Sequence, residues 1–141
     1  MNERDIRAMM YLRKYCLQII NATSRFAGDY EAFCNDDIFY NAVAMMLLQI
    51  GEHSTRLSTE YTDSTEASVP WKSLRSLRNM LAHEYEVIVT RKLWVIITDE
   101  IPKLLAYCEK TLADHNTSPE PDDTSTWGSV RESLSGAPRL T

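Results

Sequence analysis

Near the middle of the chain, an arginine, a histidine and a tyrosine stand close together. Arg78 is followed by Asn79, and His83 and Tyr85 come shortly after. Histidine exchanges protons near neutral pH, and arginine holds two phosphate oxygens and stabilises the charge that grows on a reacting phosphorus. A tyrosine hydroxyl donates a hydrogen bond, and its ring stacks on an unpaired base. The set suits RNA cleavage without a metal ion, because RNA supplies its own nucleophile in the 2′-hydroxyl.

A single straight helix does not bring these three side chains together. At about 100° per residue, Tyr85 falls within about 20° of Arg78, whereas His83 points about 140° away. Convergence needs either unwinding of the helix after His83 or a second copy of the same helix packed across a two-fold axis. The second option predicts a homodimer whose cleft holds two sets of the three residues.

Basic residues precede the histidine at three-residue steps. Lys72, Arg75 and Arg78 lie along one drifting face of the predicted helix, where Lys72 and Arg75 are candidate ligands for RNA phosphates. The alternative is that they form only the solvated face of an amphipathic helix. The chain has a net charge of −5 and a pI near 5.2, which argues against bulk electrostatic binding of nucleic acid. Any RNA binding therefore requires a local patch.

The remaining histidines do not suggest a metal site. No two of His53, His83 and His115 stand four residues apart on one predicted helix, and the chain has no glycine-rich phosphate loop. His53 follows Glu52 on a polar face and is interpreted as solvated. We expect no metal and no cofactor.

Apolar periodicity predicts helices over residues 2–22, 37–57, 70–83 and 90–114, with Asn35 or Asp36 as a cap and Pro102 as a kink or break. Residues 58–68 are predicted to form a loop and residues 87–90 an extended connection. The fold is therefore expected to be all-α, a four-helix up-and-down bundle over residues 1–116 followed by a flexible polar tail over residues 117–141. No signal peptide or membrane span is recognised, which favours a cytoplasmic protein. The buried stripe of the second helix is predicted to be Ile38, Ala42, Met45, Met46 and Ile50.

The order arginine, four residues, histidine, one residue, tyrosine resembles the signature of the HEPN superfamily of ribonucleases. The surrounding segments are similar to the HepT-like branch of that superfamily, and the resemblance extends from Asp5 to Leu112. The segments that carry it are Ile50-Gly51-Glu52, Arg56-Leu57-Ser58, Val69-Pro70-Trp71, Leu77-Arg78-Asn79, Leu93-Trp94 and Ile101-Pro102-Lys103-Leu104-Leu105.

This resemblance implies a HEPN-like bundle and a homodimeric, metal-independent ribonuclease, the toxin of a type VII-like toxin–antitoxin pair. It implies that Arg78 and His83 are catalytic and that Asn79 supports them. Tyr85 would be both an active-site group and the acceptor of AMP, which an MntA-type minimal nucleotidyltransferase antitoxin transfers from ATP. Glu52 would support the site by pairing with an arginine, or would have a structural role between helices.

Several alternatives stay open at this point. A second interpretation of the chain is a non-catalytic helical partner of a nucleotidyltransferase. Within the ribonuclease interpretation, transfer RNA and messenger RNA are both compatible substrates, and His83 could act as base, acid or both. The sequence also leaves open the number of AMP units, the stoichiometry with the antitoxin and the role of the tail.

Overall fold

Helices and short turns make up the part of the chain that the structure, a computed structural model, describes, which is residues 1–25 and 28–115. No strand occurs within those ranges, so the predicted all-α class is confirmed. A 3-10 turn at Tyr85–Val87 follows α5, and a π-helical turn at Ile96–Glu100 joins α6 to α7. The predicted tail lies outside the described residues. The α-helices are α1 (Glu3–Arg25), α2 (Tyr30–Asn35), α3 (Asp37–Thr55), α4 (Thr59–Thr65), α5 (Trp71–His83), α6 (Thr90–Val95) and α7 (Ile101–Asp114).

The core is built around α1 and α3. Helix α1 packs against α3 and α7, and α3 packs against α5. The buried residues of each long helix recur at three- and four-residue spacing, as the 3.6-residue period requires. Fully burying one such aliphatic side chain is worth about 1.5–3 kcal/mol. Prominent core residues are Met9, Leu12, Ile19, Phe39, Val43, Leu47, Trp71, Leu93, Ile97 and Ile101.

Helix α3 buries only part of the stripe that was predicted for it. Ile50 is fully buried as predicted, whereas Ile38 and Met45, both expected in the core, are 83% and 56% exposed. Phe39 and Val43 are buried in their place. The prediction was wrong at Ile38 and Met45 because the middle of α3 is apolar on most of its circumference, so the hydrophobic pattern does not select one stripe. As a result, α3 presents apolar side chains to solvent.

The segment predicted as a loop over residues 58–68 contains helix α4. Its N-cap, Ser58, accepts a hydrogen bond from the backbone N–H of Tyr61 at 3.2 Å. The buried carboxylate of Asp5 accepts hydrogen bonds from the Ser58 N–H at 2.6 Å and from its hydroxyl at 2.8 Å. Capping and this tie to α1 therefore outweigh the low helix propensity of the Thr- and Ser-rich segment.

Other boundaries agree with the sequence. Asp36 caps α3 by accepting from the N–H groups of Ile38 and Phe39. Of the extended connection predicted over residues 87–90, only Ile88 and Val89 have extended backbone angles, because Val87 lies in the 3-10 turn and Thr90 begins α6. The last helical run divides just before Pro102, which lies in the first turn of α7. Because proline has no N–H and crowds the preceding turn, the wider π-helical turn is a physically reasonable junction.

His53 is buried, contrary to the prediction that it is solvated. The residue is 4% exposed, and its ring stacks on Tyr11 of α1, with ring centres 4.5 Å apart, and also on Tyr15. Burial, with a smaller contribution from the Arg56 charge, lowers the pKa of His53 to about 4. The imidazole therefore packs as a neutral aromatic ring between α3 and α1.

The buried His53 predicts loss of stability in mild acid. An unfolded histidine has a pKa near 6.5, so between about pH 6.5 and pH 4 the unfolded chain binds a proton that the folded chain does not. The free energy of unfolding should fall by about 3 kcal/mol over that interval from this group alone. Urea titrations at several pH values measure it. His53→Phe should lack this part of the decrease, whereas His115→Ala, at an exposed position, should retain it.

Candidate functional site

Close contact between α3 and α5 positions the candidate arginine. Gly51 of α3 lies directly under Arg78 of α5, and a Cβ atom built on Gly51 would overlap the Arg78 Cβ and lie 3.1 Å from its Cα. Any larger residue at position 51 would push the two helices apart. The glycine in the Ile50-Gly51-Glu52 segment therefore allows the backbones of α3 and α5 to approach each other closely beside Arg78.

Arg78 is held by two neighbours. Its Nε donates a hydrogen bond to the carboxylate of Glu52, forming an ion pair whose side chains are 32% and 31% exposed. Its Nη1 donates to Oδ1 of Asn79 at 3.0 Å. A charged hydrogen bond on one edge of the planar guanidinium fixes its orientation. Glu52 and Asn79 therefore orient Arg78 at the protein surface.

His83 is the last residue of α5, and its side chain is exposed. The helix stops at this point because Glu84 leaves helical geometry, with φ of −131° and ψ of 35°, while its N–H still donates to the Met80 carbonyl at 2.8 Å. The chain then enters the 3-10 turn that carries Tyr85. Unwinding after His83 is thus observed, but it does not bring the three side chains together, because Arg78 and His83 both lie within α5 and stay about 140° apart around it.

Tyr85 is anchored to the first half of α3. Its hydroxyl donates a hydrogen bond to Oδ1 of Asn41, and its ring meets the Tyr40 ring edge-on with centres 5.9 Å apart. Partial burial raises the pKa of Tyr85, and the nearby Tyr40 and Asp37 raise it further. Sequence reasoning missed Asn41, because a lone asparagine on a mostly apolar helix has no motif to mark it.

The two anchors on α3 are well separated. Asn41 and Glu52 stand eleven residues apart, about 16 Å along the axis at 1.5 Å per residue, and share one face of the helix. The Tyr85 hydroxyl and the Arg78 guanidinium are therefore held at different points along α3. The exposed side chains of Ile38 and Met45 lie on that same face.

The other basic candidates do not form one row with Arg78. Lys72 is exposed near the start of α5, whereas Arg75 turns toward α4, where its Nη2 donates to the Thr62 hydroxyl at 3.3 Å. Arg78 turns instead toward α3. In the described part of the chain, no group of three or more His, Cys, Asp and Glu side chains is arranged to hold a metal ion. Nor does any helix there combine the length and apolar character needed to cross a membrane.

Comparison with known proteins shows which family the chain is similar to. The family model described as "Ribonuclease HepT-like" matches residues 8–111. "Putative RNase MJ1380" of Methanocaldococcus jannaschii is 33% identical over 74% of this chain and 94% of its own length. "Probable ribonuclease HepT" of Thermococcus cleftensis is 30% identical over 57% of this chain and 73% of its own length.

No solved structure is significantly similar to the chain. The family model nevertheless covers most of the sequence, including the whole segment from Gly51 to Tyr85 that forms the candidate site. The chain therefore belongs to the HepT-like ribonuclease family.

Proposed function

We propose that the protein is a metal-independent endoribonuclease whose site contains Arg78, Asn79, His83 and Tyr85. The observation that carries this proposal is the arrangement at the end of α5. A guanidinium oriented by Glu52 and Asn79 precedes an exposed imidazole, and the chain unwinds immediately after it. These groups supply phosphate binding and proton transfer, but from sides of α5 about 140° apart, so a second copy of the chain is needed to bring an arginine and a histidine together.

The reaction needs only groups of the chain and the substrate. The RNA 2′-oxygen attacks the adjacent phosphorus, forming a new P–O bond while the bond to the 5′-oxygen breaks. A base takes the 2′-hydroxyl proton and an acid protonates the departing 5′-oxygen; His83 serves in one or both roles. Arg78 stabilises the negative charge on the pentacoordinate phosphorus, and Lys72 and Arg75 contribute further positive charge to substrate binding. The products carry a 2′,3′-cyclic phosphate and a 5′-hydroxyl.

A homodimer would complete the site. Ile38 and Met45 are exposed on the α3 face that carries the anchors of Tyr85 and Arg78, with Met45 between the two anchors and Ile38 just before the first. A second copy on this face would bury both side chains and bring a second set of catalytic groups opposite the first. In this proposal, the four helices of a HEPN-type bundle are α1, α3, α5 and the run formed by α6 and α7.

We further propose that the enzyme acts in the cytoplasm as the toxin of a toxin–antitoxin pair, on transfer RNA or messenger RNA. Its antitoxin would be an MntA-like nucleotidyltransferase that attaches AMP to Tyr85. Tyr85 stands two residues after His83 in the sequence, and its side chain is only partly buried. A phosphate and an adenosine placed there would exclude an RNA phosphate by charge and bulk.

The decisive experiment uses one RNA oligonucleotide and a matched oligonucleotide with a single 2′-deoxy sugar at the cleavage position, both in excess EDTA. We expect cleavage of the RNA with a 2′,3′-cyclic phosphate product, detected by mass spectrometry, and no cleavage at the deoxy position. Cleavage at the deoxy position would refute the 2′-hydroxyl mechanism. Loss of all activity in EDTA, restored by a divalent metal, would refute metal independence. A folded protein that cleaves no RNA but binds the nucleotidyltransferase would favour the non-catalytic interpretation.

A further inference from the structure

A groove separates α5 from α6 on the side of α5 that faces away from α3. It encloses about 420 Å³. Its floor includes Leu77 and Leu93, while Lys72 and Ser76 line it from α5 and Lys92 from α6. The groove therefore has an apolar floor with a lysine on each wall.

The exposed face of α5 connects this groove to the candidate catalytic histidine. Lys72, Ser76, Asn79 and His83 follow one another at four, three and four residues, a spacing that keeps them within about 60° on one side of a helix. All four are exposed. Eleven residues separate Lys72 from His83, a distance of about 16 Å along the axis. A ligand lying in the groove can therefore continue along α5 to the imidazole.

The charge of the groove is opposite to that of the whole protein. The chain has a net charge of −5, yet the described residues that line the groove include Lys72 and Lys92 and no acidic side chain. Two lysines on facing walls suit an anion with repeated charges, since each ammonium group pairs with one phosphate. The hydroxyls of Ser73 and Ser76, which also line the groove, provide further donors to phosphate oxygens.

We propose that the α5–α6 groove is a subsite for the RNA strand on one side of the cleaved phosphate, with Lys72 and Lys92 binding its backbone phosphates. This inference rests on the proposed ribonuclease function. The distance from Lys72 to His83 corresponds to at most about five stacked nucleotides at 3.4 Å each, and to fewer in an extended strand. Met80, which also lines the groove and is 36% exposed, provides an apolar surface beside the bases.

An acidic segment of a partner protein is the main competing occupant. The continuous exposed face from the groove to His83 favours RNA, because a substrate strand must extend away from its cleaved phosphate. A protein that only blocks the site has no such requirement. Lys92 is outside the arginine–histidine–tyrosine motif, so its contribution can be tested separately from the chemistry.

The test measures binding of a fluorescent 12-nucleotide single-stranded RNA to the full chain carrying His83→Ala, which prevents cleavage during the titration. Lys72→Gln and Lys92→Gln are introduced singly and together, with Lys110→Gln as the control. Lys110 is exposed on α7 and does not line the groove. Each groove substitution should weaken binding and reduce the slope of log affinity against log salt by about 0.7, the value for one phosphate contact on a single strand. The double variant should lose about twice as much, and Lys110→Gln should change neither quantity.

The outcomes separate this inference from the proposed function. RNA cleavage by the unmodified chain, together with equal RNA binding by the groove variants and Lys110→Gln, would overturn the groove assignment and leave the ribonuclease intact. If the groove variants bound RNA as well as Lys110→Gln but captured the nucleotidyltransferase less well, the groove would be assigned to an acidic protein segment instead. Absence of both cleavage and RNA binding would refute the proposed function itself.

Discussion

His83→Ala is expected to lower the rate of RNA cleavage by about 10²- to 10⁴-fold, the usual contribution of a general acid or base. The fold should survive, because the side chain is exposed on the last residue of α5 and supports no part of the core. Surface substitutions of this kind usually change stability by less than about 0.5 kcal/mol. Initial rates on one RNA, with a thermal melt of each protein, measure both effects.

His115→Ala is the matched control for this experiment. His115 is also an exposed histidine at the end of a helix, α7, and its Nδ1 lies 3.0 Å from the Thr111 carbonyl oxygen. The His115→Ala variant should cleave RNA at the same rate as the unmodified chain. If His83→Ala cleaved RNA as fast as His115→Ala while both proteins melted normally, His83 would have no role in proton transfer and the proposed site would be wrong.

Under the proposed function, the ion pair between Arg78 and Glu52 would affect both stability and chemistry. Gly51 allows α5 to approach α3 closely, and the pair forms at that contact. Glu52 keeps the guanidinium oriented before substrate arrives, which lowers the cost of organising the site. It also reduces the positive charge that an RNA phosphate meets. In the proposed enzyme, Glu52 would thus combine the two roles that the sequence left as alternatives.

The sequence predicts the long helices well because capping and chain-breaking chemistry are local. Asp36 caps α3 through its own side chain, and Pro102 interrupts the apolar helical pattern because it has no backbone N–H to donate. The end of α5 near His83 is predicted from local sequence in the same way, because the β-branched residues at positions 87–90 disfavour continuation of the helix. These features depend on a few neighbouring residues, so a single sequence is sufficient to identify them.

The parts that sequence reasoning missed depend on contacts between distant segments. His53 is buried because Tyr11 and Tyr15 of α1 cover it. Helix α4 forms where Asp5, more than fifty residues earlier, accepts hydrogen bonds from Ser58. The packing of α3 decides that Ile38 faces solvent, although its apolar pattern allows several choices.

The candidate site, like the fold, is predicted by the sequence only in part. The sequence gives the types and order of Arg78, His83 and Tyr85, which suggest the chemistry. It does not give Asn41, whose amide accepts the Tyr85 hydrogen bond from 44 residues away. Nor does it reveal that Arg75 turns to Thr62 of α4 while Arg78 turns to α3. Side-chain direction on one helix is decided by the helices packed beside it.

Tyr85→Phe is expected to abolish AMP attachment completely when the chain is co-expressed with the proposed nucleotidyltransferase antitoxin. The phenol oxygen is the atom that would form the new bond to the α-phosphorus of ATP, with pyrophosphate leaving, and phenylalanine has no such oxygen. Asn41 holds this hydroxyl at the surface of α3, so the acceptor is presented without rearrangement of the core. Intact mass of the purified protein should increase by one or more AMP units for the unmodified chain and by none for Tyr85→Phe.

Tyr40→Phe is the matched control, because Tyr40 is a half-buried tyrosine whose ring contacts Tyr85. It should gain the same mass as the unmodified chain. A mass gain that persists in Tyr85→Phe would place the acceptor elsewhere. No gain in any variant, with the two proteins still co-purifying, would mean that the antitoxin neutralises by covering the site. The mass measurement therefore distinguishes a covalent block at Tyr85 from neutralisation by bound antitoxin alone.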